Sequence, residues 1–126
     1  MQEVPVAKEA EGEGPVPSVW RATFSAIVCA LSERDYSLAR GIPGVLPVAD
    51  GTARQVQAYI ADYGETLVAL PDWTWDTSVC VWVDPHWDVL VDLYTEAGGP
   101  SDMVLHSTVR EAANGFTYEV YLVYVP

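Results

Sequence analysis

Basic side chains are scarce in this 126-residue sequence, where six Lys and Arg stand against 18 Asp and Glu and the formal charge is −12 at pH 7. Binding to nucleic acid needs clustered Lys and Arg that neutralise phosphates, so this composition argues against a nucleic-acid partner. It also argues against contact with an anionic membrane surface. A basic protein is the partner that such a charge favours.

Long apolar runs and cysteines are also lacking. No run approaches the roughly 18 residues of a membrane-spanning helix, and residues 1–17 have neither the basic start nor the apolar stretch of a signal peptide. The two cysteines, Cys29 and Cys80, are too few for a disulfide scaffold or a cysteine zinc site. We therefore expect free thiols and a cytoplasmic protein.

Half of the residues are hydrophobic, which is enough for the core of one domain. Residues 1–17 combine four glutamates with glycines and prolines, a composition with little to bury, and are predicted to be a flexible acidic tail. Residues 18–126 are predicted to form a single α+β domain.

Two segments have the 3.6-residue period of amphipathic helices. The first covers about residues 18–34, with Ser18 as its N-cap and one apolar face. That face consists of Trp20, Phe24, Ile27, Val28 and Leu31. The second helix covers about residues 51–63, with Asp50 as its N-cap and Gly64 just after its end.

After Trp73 the apolar residues alternate with period two, which predicts strands. Four strands are expected at about 76–83, 87–94, 102–111 and 116–125, and residues 66–70 are a possible fifth. Short turns between them, Asn114-Gly115 above all, predict an antiparallel meander. The predicted fold is therefore α+β, with two N-terminal helices on one face of a C-terminal sheet.

The turns suggest a register and so two sheet faces. A three-residue turn, Asp84-Pro85-His86, would place Val83 opposite Trp87, and a turn at Asn114-Gly115 would place Arg110 opposite Glu119. The helices would then cover an apolar face made of Thr77, Val79, Val81, Val83, Trp87, Val89, Val91 and Leu93. The other face would carry Asp76, Ser78, Cys80, Trp82, Asp88, Leu90, Asp92, Tyr94, Val104, His106, Thr108, Arg110, Glu119, Tyr121, Val123 and Val125.

This second face is the candidate binding site. Between Gln55 and Val109 there are 55 residues with no Lys or Arg, nine acidic residues and four of the five tryptophans. An uncovered face that mixes aromatic, aliphatic and acidic side chains is typical of a protein interaction surface. The candidate partner-binding residues are Asp76, Trp82, Asp88, Asp92, Tyr94, Glu119 and Tyr121. The competing interpretation is that the 41–50 loop or the tail closes over this face.

No catalytic or metal-binding pattern stands out. Asp84, His86 and Asp88 have the i, i+2, i+4 spacing of one strand side, but Pro85 predicts a turn that breaks that geometry. Asp88 and Asp92 are about 13 Å apart along a strand, which is far for a catalytic carboxylate pair. We predict no catalytic residue, no metal and no cofactor.

The order of two helices followed by an antiparallel sheet resembles cystatin-like and nuclear-transport-factor-like α+β rolls. Tyr63–Leu67, the run Trp87–Glu96 leading to Ser101-Asp102, and Val123–Pro126 are similar to a small uncharacterised bacterial family of this type. In size and acidity the chain is also similar to the immunity proteins of bacterial toxin systems. That likeness implies binding to a cognate toxin, and it rests on class properties alone.

The leading hypothesis is thus a non-enzymatic, immunity-type protein that neutralises a toxin effector by occluding a basic surface. The alternative is an α+β roll with an internal pocket, acting as a small-ligand binder or an enzyme. A third possibility is that the uncovered face forms a homodimer contact.

Overall fold

The computed structural model describes residues 3–8, 12–97 and 99–126. Its helices are α1 (Ser18–Ser32) and α2 (Asp50–Tyr63), with a short 3₁₀ helix at Asp72–Asp76. Its strands are β1 (Gly14–Pro15), β2 (Val79–Val83), β3 (His86–Thr95), β4 (Gly99–Ala112) and β5 (Gly115–Tyr124). Among the described residues no helix is both long and apolar enough to cross a membrane.

The strands form one antiparallel sheet in the order β1-β2-β3-β4-β5, which confirms the predicted α+β class. The four predicted strands correspond to β2–β5. The fifth strand is not residues 66–70, where Leu67 makes only an isolated bridge to Thr95. It is the two-residue β1, which comes from the predicted tail and pairs with β2.

Both helices pack on one side of the sheet, as the 3.6-residue pattern predicts. Trp20, Phe24 and Leu31 of α1 and Val56 and Ile60 of α2 are buried there. The sheet residues that meet them alternate along each strand. They include Trp87, Val89, Val91, Leu93, Met103, Leu105, Val109, Tyr118, Val120 and Val123.

The helix ends differ in part from the prediction. Ser18 is the first residue of α1 rather than its N-cap, and its hydroxyl accepts a hydrogen bond from the Val4 amide. Ala49, not Asp50, occupies the N-cap of α2. Gly64 ends α2 in the left-handed region at φ 85°, as predicted for a glycine at this position.

The register of β2 against β3 differs by one residue from the predicted register. The chain turns over two residues, Asp84 and Pro85, so Val83 pairs with His86 and Trp82 pairs with Trp87. A one-residue slip moves every side chain of a strand to the other face. Trp82 and Cys80 therefore pack against the core, while Val79, Val81 and Val83 lie on the face away from the helices.

The hairpin of β4 and β5 also departs from the predicted register. Gly115 pairs with Ala112, so Arg110 lies opposite Thr117 rather than Glu119. This shift by two residues leaves each β5 side chain before Tyr121 on its predicted face of the sheet. A bulge at Tyr121 then moves the side chains of the following β5 residues to the face opposite the predicted one. Val123, predicted on the uncovered face, is fully buried in the core.

Side chains and loops cover the free edge of β5. Without them, the unpaired backbone groups of this edge could pair with a strand of another molecule. The amide group of Gln55 donates to the Val123 carbonyl at 2.8 Å and accepts from the Val123 amide at 3.2 Å. The Tyr59 hydroxyl accepts from the Val125 amide, and Gly44 and Leu46 hydrogen-bond to the backbone of Tyr118.

The described part of the predicted tail contacts the domain. Val16 is fully buried in the core, and its carbonyl accepts two hydrogen bonds from the Arg21 guanidinium. Residues 3–8 lie against α1 and the Trp82–Trp87 pair. Packing therefore begins before residue 18, because the few apolar residues of this segment meet the sheet edge. Residues 1–2 and 9–11 of the predicted tail, and Gly98 in the β3–β4 connection, lie outside the described residues.

We predict that Gln55→Ala lowers the free energy of unfolding by about 1–2 kcal/mol, because two partly buried backbone groups of Val123 lose their partner. Urea denaturation measures this change. The matched control is Gln57→Ala, an exposed position on the same helix, where we expect little effect. Equal losses for the two variants would contradict the role of Gln55 at this edge.

Candidate functional site

The sheet side opposite the helices is called the open face here, and the strand pairing defines its members. Among the described residues, its strand positions are partly exposed or exposed except for Tyr94 and Val104. The open face consists of Val79, Val81, Val83, His86, Asp88, Leu90, Asp92, Tyr94, Val104, His106, Thr108, Arg110, Thr117, Glu119, Tyr121, Leu122 and Tyr124.

One row of paired residues crosses the middle of the open face. Asp88 lies opposite Val81 on one side and Thr108 on the other, and Thr108 lies opposite Glu119. Two strand spacings separate Asp88 from Glu119, so their Cα atoms are about 10 Å apart. This row places two carboxylates on one face of the sheet with a single residue, Thr108, between them.

The open face carries more acid than base. Asp88, Asp92 and Glu119 contribute three carboxylates against the single guanidinium of Arg110, which leaves −2 with neutral imidazoles. The Arg110 Nη1 atom is 3.6 Å from Glu119 Oε1, a diagonal contact between exposed side chains. Such pairs stabilise a protein by under about 1 kcal/mol and are easily exchanged for another partner.

Two imidazoles flank Asp88. The Nε2 atoms of His86 and His106 are each 3.3 Å from the same carboxylate oxygen, Oδ1. The His106 Nε2 atom is buried and makes no hydrogen bond of good geometry to any residue that the structure describes. Its contact with Asp88 is therefore a close approach without an aligned hydrogen bond.

The two imidazoles approach Asp88 from different sides. His86 precedes Asp88 by two residues on β3, whereas His106 lies opposite Leu90, two residues after it. Within residues 3–8, 12–97 and 99–126, no three His, Cys, Asp or Glu side chains are arranged to hold a metal ion. Asp84, which has the spacing of a possible metal ligand with His86 and Asp88, lies in the β2–β3 turn.

Tyr121 is the most exposed large ring of the open face, with 58% of its surface accessible. Its ring packs edge-on against His106 at 5.1 Å, and Tyr124 lies on the same imidazole at 6.3 Å. The bulge at Tyr121 adds a residue opposite β4 and places this ring beside His106. Large rings that stay exposed beside charged groups are typical of binding surfaces.

The structure brings together four of the seven predicted site residues. Asp88, Asp92, Glu119 and Tyr121 share the open face. Tyr94 lies at its end but is largely buried, with Trp73 edge-on at 6.4 Å. His86, which the sequence pattern assigned to the β2–β3 turn, is instead the first residue of β3 and lies on the open face two residues before Asp88.

Two predicted site residues lie elsewhere. Trp82 is on the helix side, where its ring centroid is 4.6 Å from that of Trp87. The two-residue turn at Asp84-Pro85 causes this difference, because it shifts the register by one residue. Asp76 is an exposed residue of the 3₁₀ helix rather than of a strand, because β2 begins at Val79.

We predict that Trp82→Ala lowers the free energy of unfolding by about 2 kcal/mol, because Trp82 packs on the core. Tyr121→Ala, on the open face, should change it by less than about 1 kcal/mol. Thermal or urea unfolding of both variants measures the difference. The opposite order would mean that the assignment of the two faces is wrong.

Comparison with known proteins places the chain in context. Residues 28–126 match the family model of a domain of unknown function, DUF7668. No curated protein and no solved structure matches the chain significantly.

Proposed function

We propose that this chain, which belongs to the DUF7668 family, is a non-enzymatic binding protein of the immunity type. Its open face would occlude a basic surface of a toxin effector and so neutralise it. The observation that supports the proposal most is the row of Asp88 and Glu119 beside the exposed ring of Tyr121.

The chemistry of the open face fits a basic protein better than a small metabolite. Asp88 and Glu119 are separated by Thr108, and the aliphatic side chains of Val81 and Leu90 lie beside Asp88 on the same face. A flat mixture of acids, aliphatics and tyrosines suits an extended protein contact, in which carboxylates set orientation and apolar area supplies affinity. The overall charge of −12 would speed the encounter with such a partner.

The test is binding to the purified product of each adjacent gene, measured by calorimetry at low and high salt. We expect a complex that weakens with salt, and we expect Asp88→Lys with Glu119→Lys to weaken it by at least about tenfold. The matched control is Asp62→Lys with Glu96→Lys, which makes the same charge change at exposed positions at the ends of α2 and β3.

The outcomes separate the proposal from its rivals. Equal weakening by both double variants would show that net charge, not the open face, governs binding. Absence of any complex with the adjacent gene products would oppose the immunity form of the proposal. Sedimentation of the free protein at micromolar concentration completes the test, because a dimer abolished by Asp88→Lys with Glu119→Lys would assign the open face to self-association instead.

A further inference from the structure

A second binding region lies on the helix side of the sheet, around residues 3–8, which are called the strap. The strap begins beside α1, where the Val4 amide donates to Ser18 Oγ at 2.7 Å and the Ser18 amide donates to the Val4 carbonyl at 2.9 Å. Further along, the Ala7 carbonyl accepts a hydrogen bond of 2.8 Å from the indole nitrogen of Trp87.

Lys8 ends the strap with two contacts. Its ammonium nitrogen lies 5.3 Å above the ring of Trp82 and 2.6 Å from Glu111 Oε1. A cation above an indole ring is attracted by the negative face of that ring. The groove therefore offers a hydrogen-bond donor, the Trp87 indole, to a backbone carbonyl. Beside it, Trp82 and Glu111 meet the positive charge of the next residue.

The floor of this region is rigid. Trp87 is fully buried and touches Trp82, Trp20 and Phe116, with ring centroids 4.6, 5.0 and 6.0 Å away. Aromatic clusters of this kind keep their shape because each ring is held edge-on or tilted by the next. The Trp87 indole nitrogen is thereby aimed at the strap.

The strap itself is held loosely. None of its six residues is fully buried, and the Lys8–Glu111 pair is about half exposed on both sides, at 50% and 57%. Its hydrogen bonds use backbone atoms of Val4 and Ala7, which any extended peptide can supply. Among its side chains, Val6 packs partly buried against the core and Lys8 makes the contacts above, so the region fits an extended backbone with one apolar residue and one cation.

The strap also leaves space unfilled. A cavity of about 200 Å³ lies between the strap, the β1 segment and the indoles of Trp82 and Trp87. The strap residues that line it, Pro5 and Ala7 among them, are small. A peptide with a larger apolar side chain at the position of Ala7 would fill more of this space and gain contact area.

We propose that the groove of Trp82, Trp87 and Glu111 is a peptide-binding site that the strap occupies and that an extended partner segment can take over. The preferred segment has a bulky apolar residue followed directly by Lys or Arg. This site lies on the other side of the sheet from the open face and does not depend on the function proposed above.

The reactivity of the Cys80 thiol can be used to follow this exchange. It lines the same cavity, and its Sγ atom lies 3.5 Å from the Pro15 carbonyl. Burial raises the pKa of the Cys80 thiol and so lowers the amount of reactive thiolate at neutral pH. The strap residues Val4, Pro5 and Ala7 form one wall of the same cavity, so their departure would open it to solvent. Opening of the strap should therefore speed alkylation of Cys80.

We predict that Lys8→Glu in the full chain speeds alkylation of Cys80 by about tenfold, because it removes the cation above Trp82 and opposes Glu111. Mass spectrometry after iodoacetamide treatment measures the rate, with Cys29 on α1 as the internal reference. Lys8→Arg, which keeps the charge, should leave the rate near that of the unchanged protein.

The exchange itself is tested by adding a synthetic peptide of residues 3–8 with Ala7→Leu to the Lys8→Glu protein. We expect slower alkylation of Cys80 and a change in tryptophan fluorescence, both saturable. The same peptide with Lys8→Glu should do neither. Alkylation that is unaffected by Lys8→Glu, or equal effects of the two peptides, would overturn the proposal, while Asp88→Lys with Glu119→Lys should leave peptide binding intact.

Discussion

The pairing of Trp82 with Trp87 decides how the rest of the molecule is arranged. Both sides of β2 are apolar, with three valines on one side and Cys80 and Trp82 on the other. The two-residue turn at Asp84-Pro85 selects the side that carries the indole, and Trp82 then packs on Trp87 at 4.6 Å. A slip of one residue would expose the indole and bury the valines. This one register decides which side chains of β2 belong to each face of the sheet.

Some strands of this chain carry a pattern that fixes their faces from sequence, and others do not. β3 carries Asp88 and Asp92 on one side and only apolar residues from Trp87 to Leu93 on the other, so one assignment of its faces buries Val89 and Val91 and leaves both acids on the open face, as predicted. β2 offers no such contrast, and its turn length was misjudged. The bulge at Tyr121 has no glycine to mark it, so Leu122 and Tyr124 were missed on the open face and Val123 was misplaced there.

The surroundings of Asp88 depend on the pairing between strands. From sequence it is one acid among nine in a stretch without Lys or Arg. In the sheet it lies between His86 and His106, and His106 in turn lies against Tyr121. The proximity of His86 follows from its i, i+2 spacing on β3, whereas His106 is brought to Asp88 by the pairing of β3 with β4, which local spacing does not show. The carboxylate therefore lies among rings that come from three different strands, with His86 on β3, His106 on β4 and Tyr121 on β5.

Part of the core of this chain comes from residues that precede the matched family region. The family model begins at residue 28, inside α1, whereas the core of this chain also contains Val16, Trp20 and Phe24. The segment before residue 18 has the charge and glycine content of a tail, yet the Ala7 carbonyl meets the indole of Trp87, 80 residues away in the chain. Because these contacts use backbone atoms, composition gives no sign of them. The same feature underlies the exchange proposed for the strap, since its backbone contacts do not distinguish one extended segment from another and only the side chains of Val6 and Lys8 add selectivity.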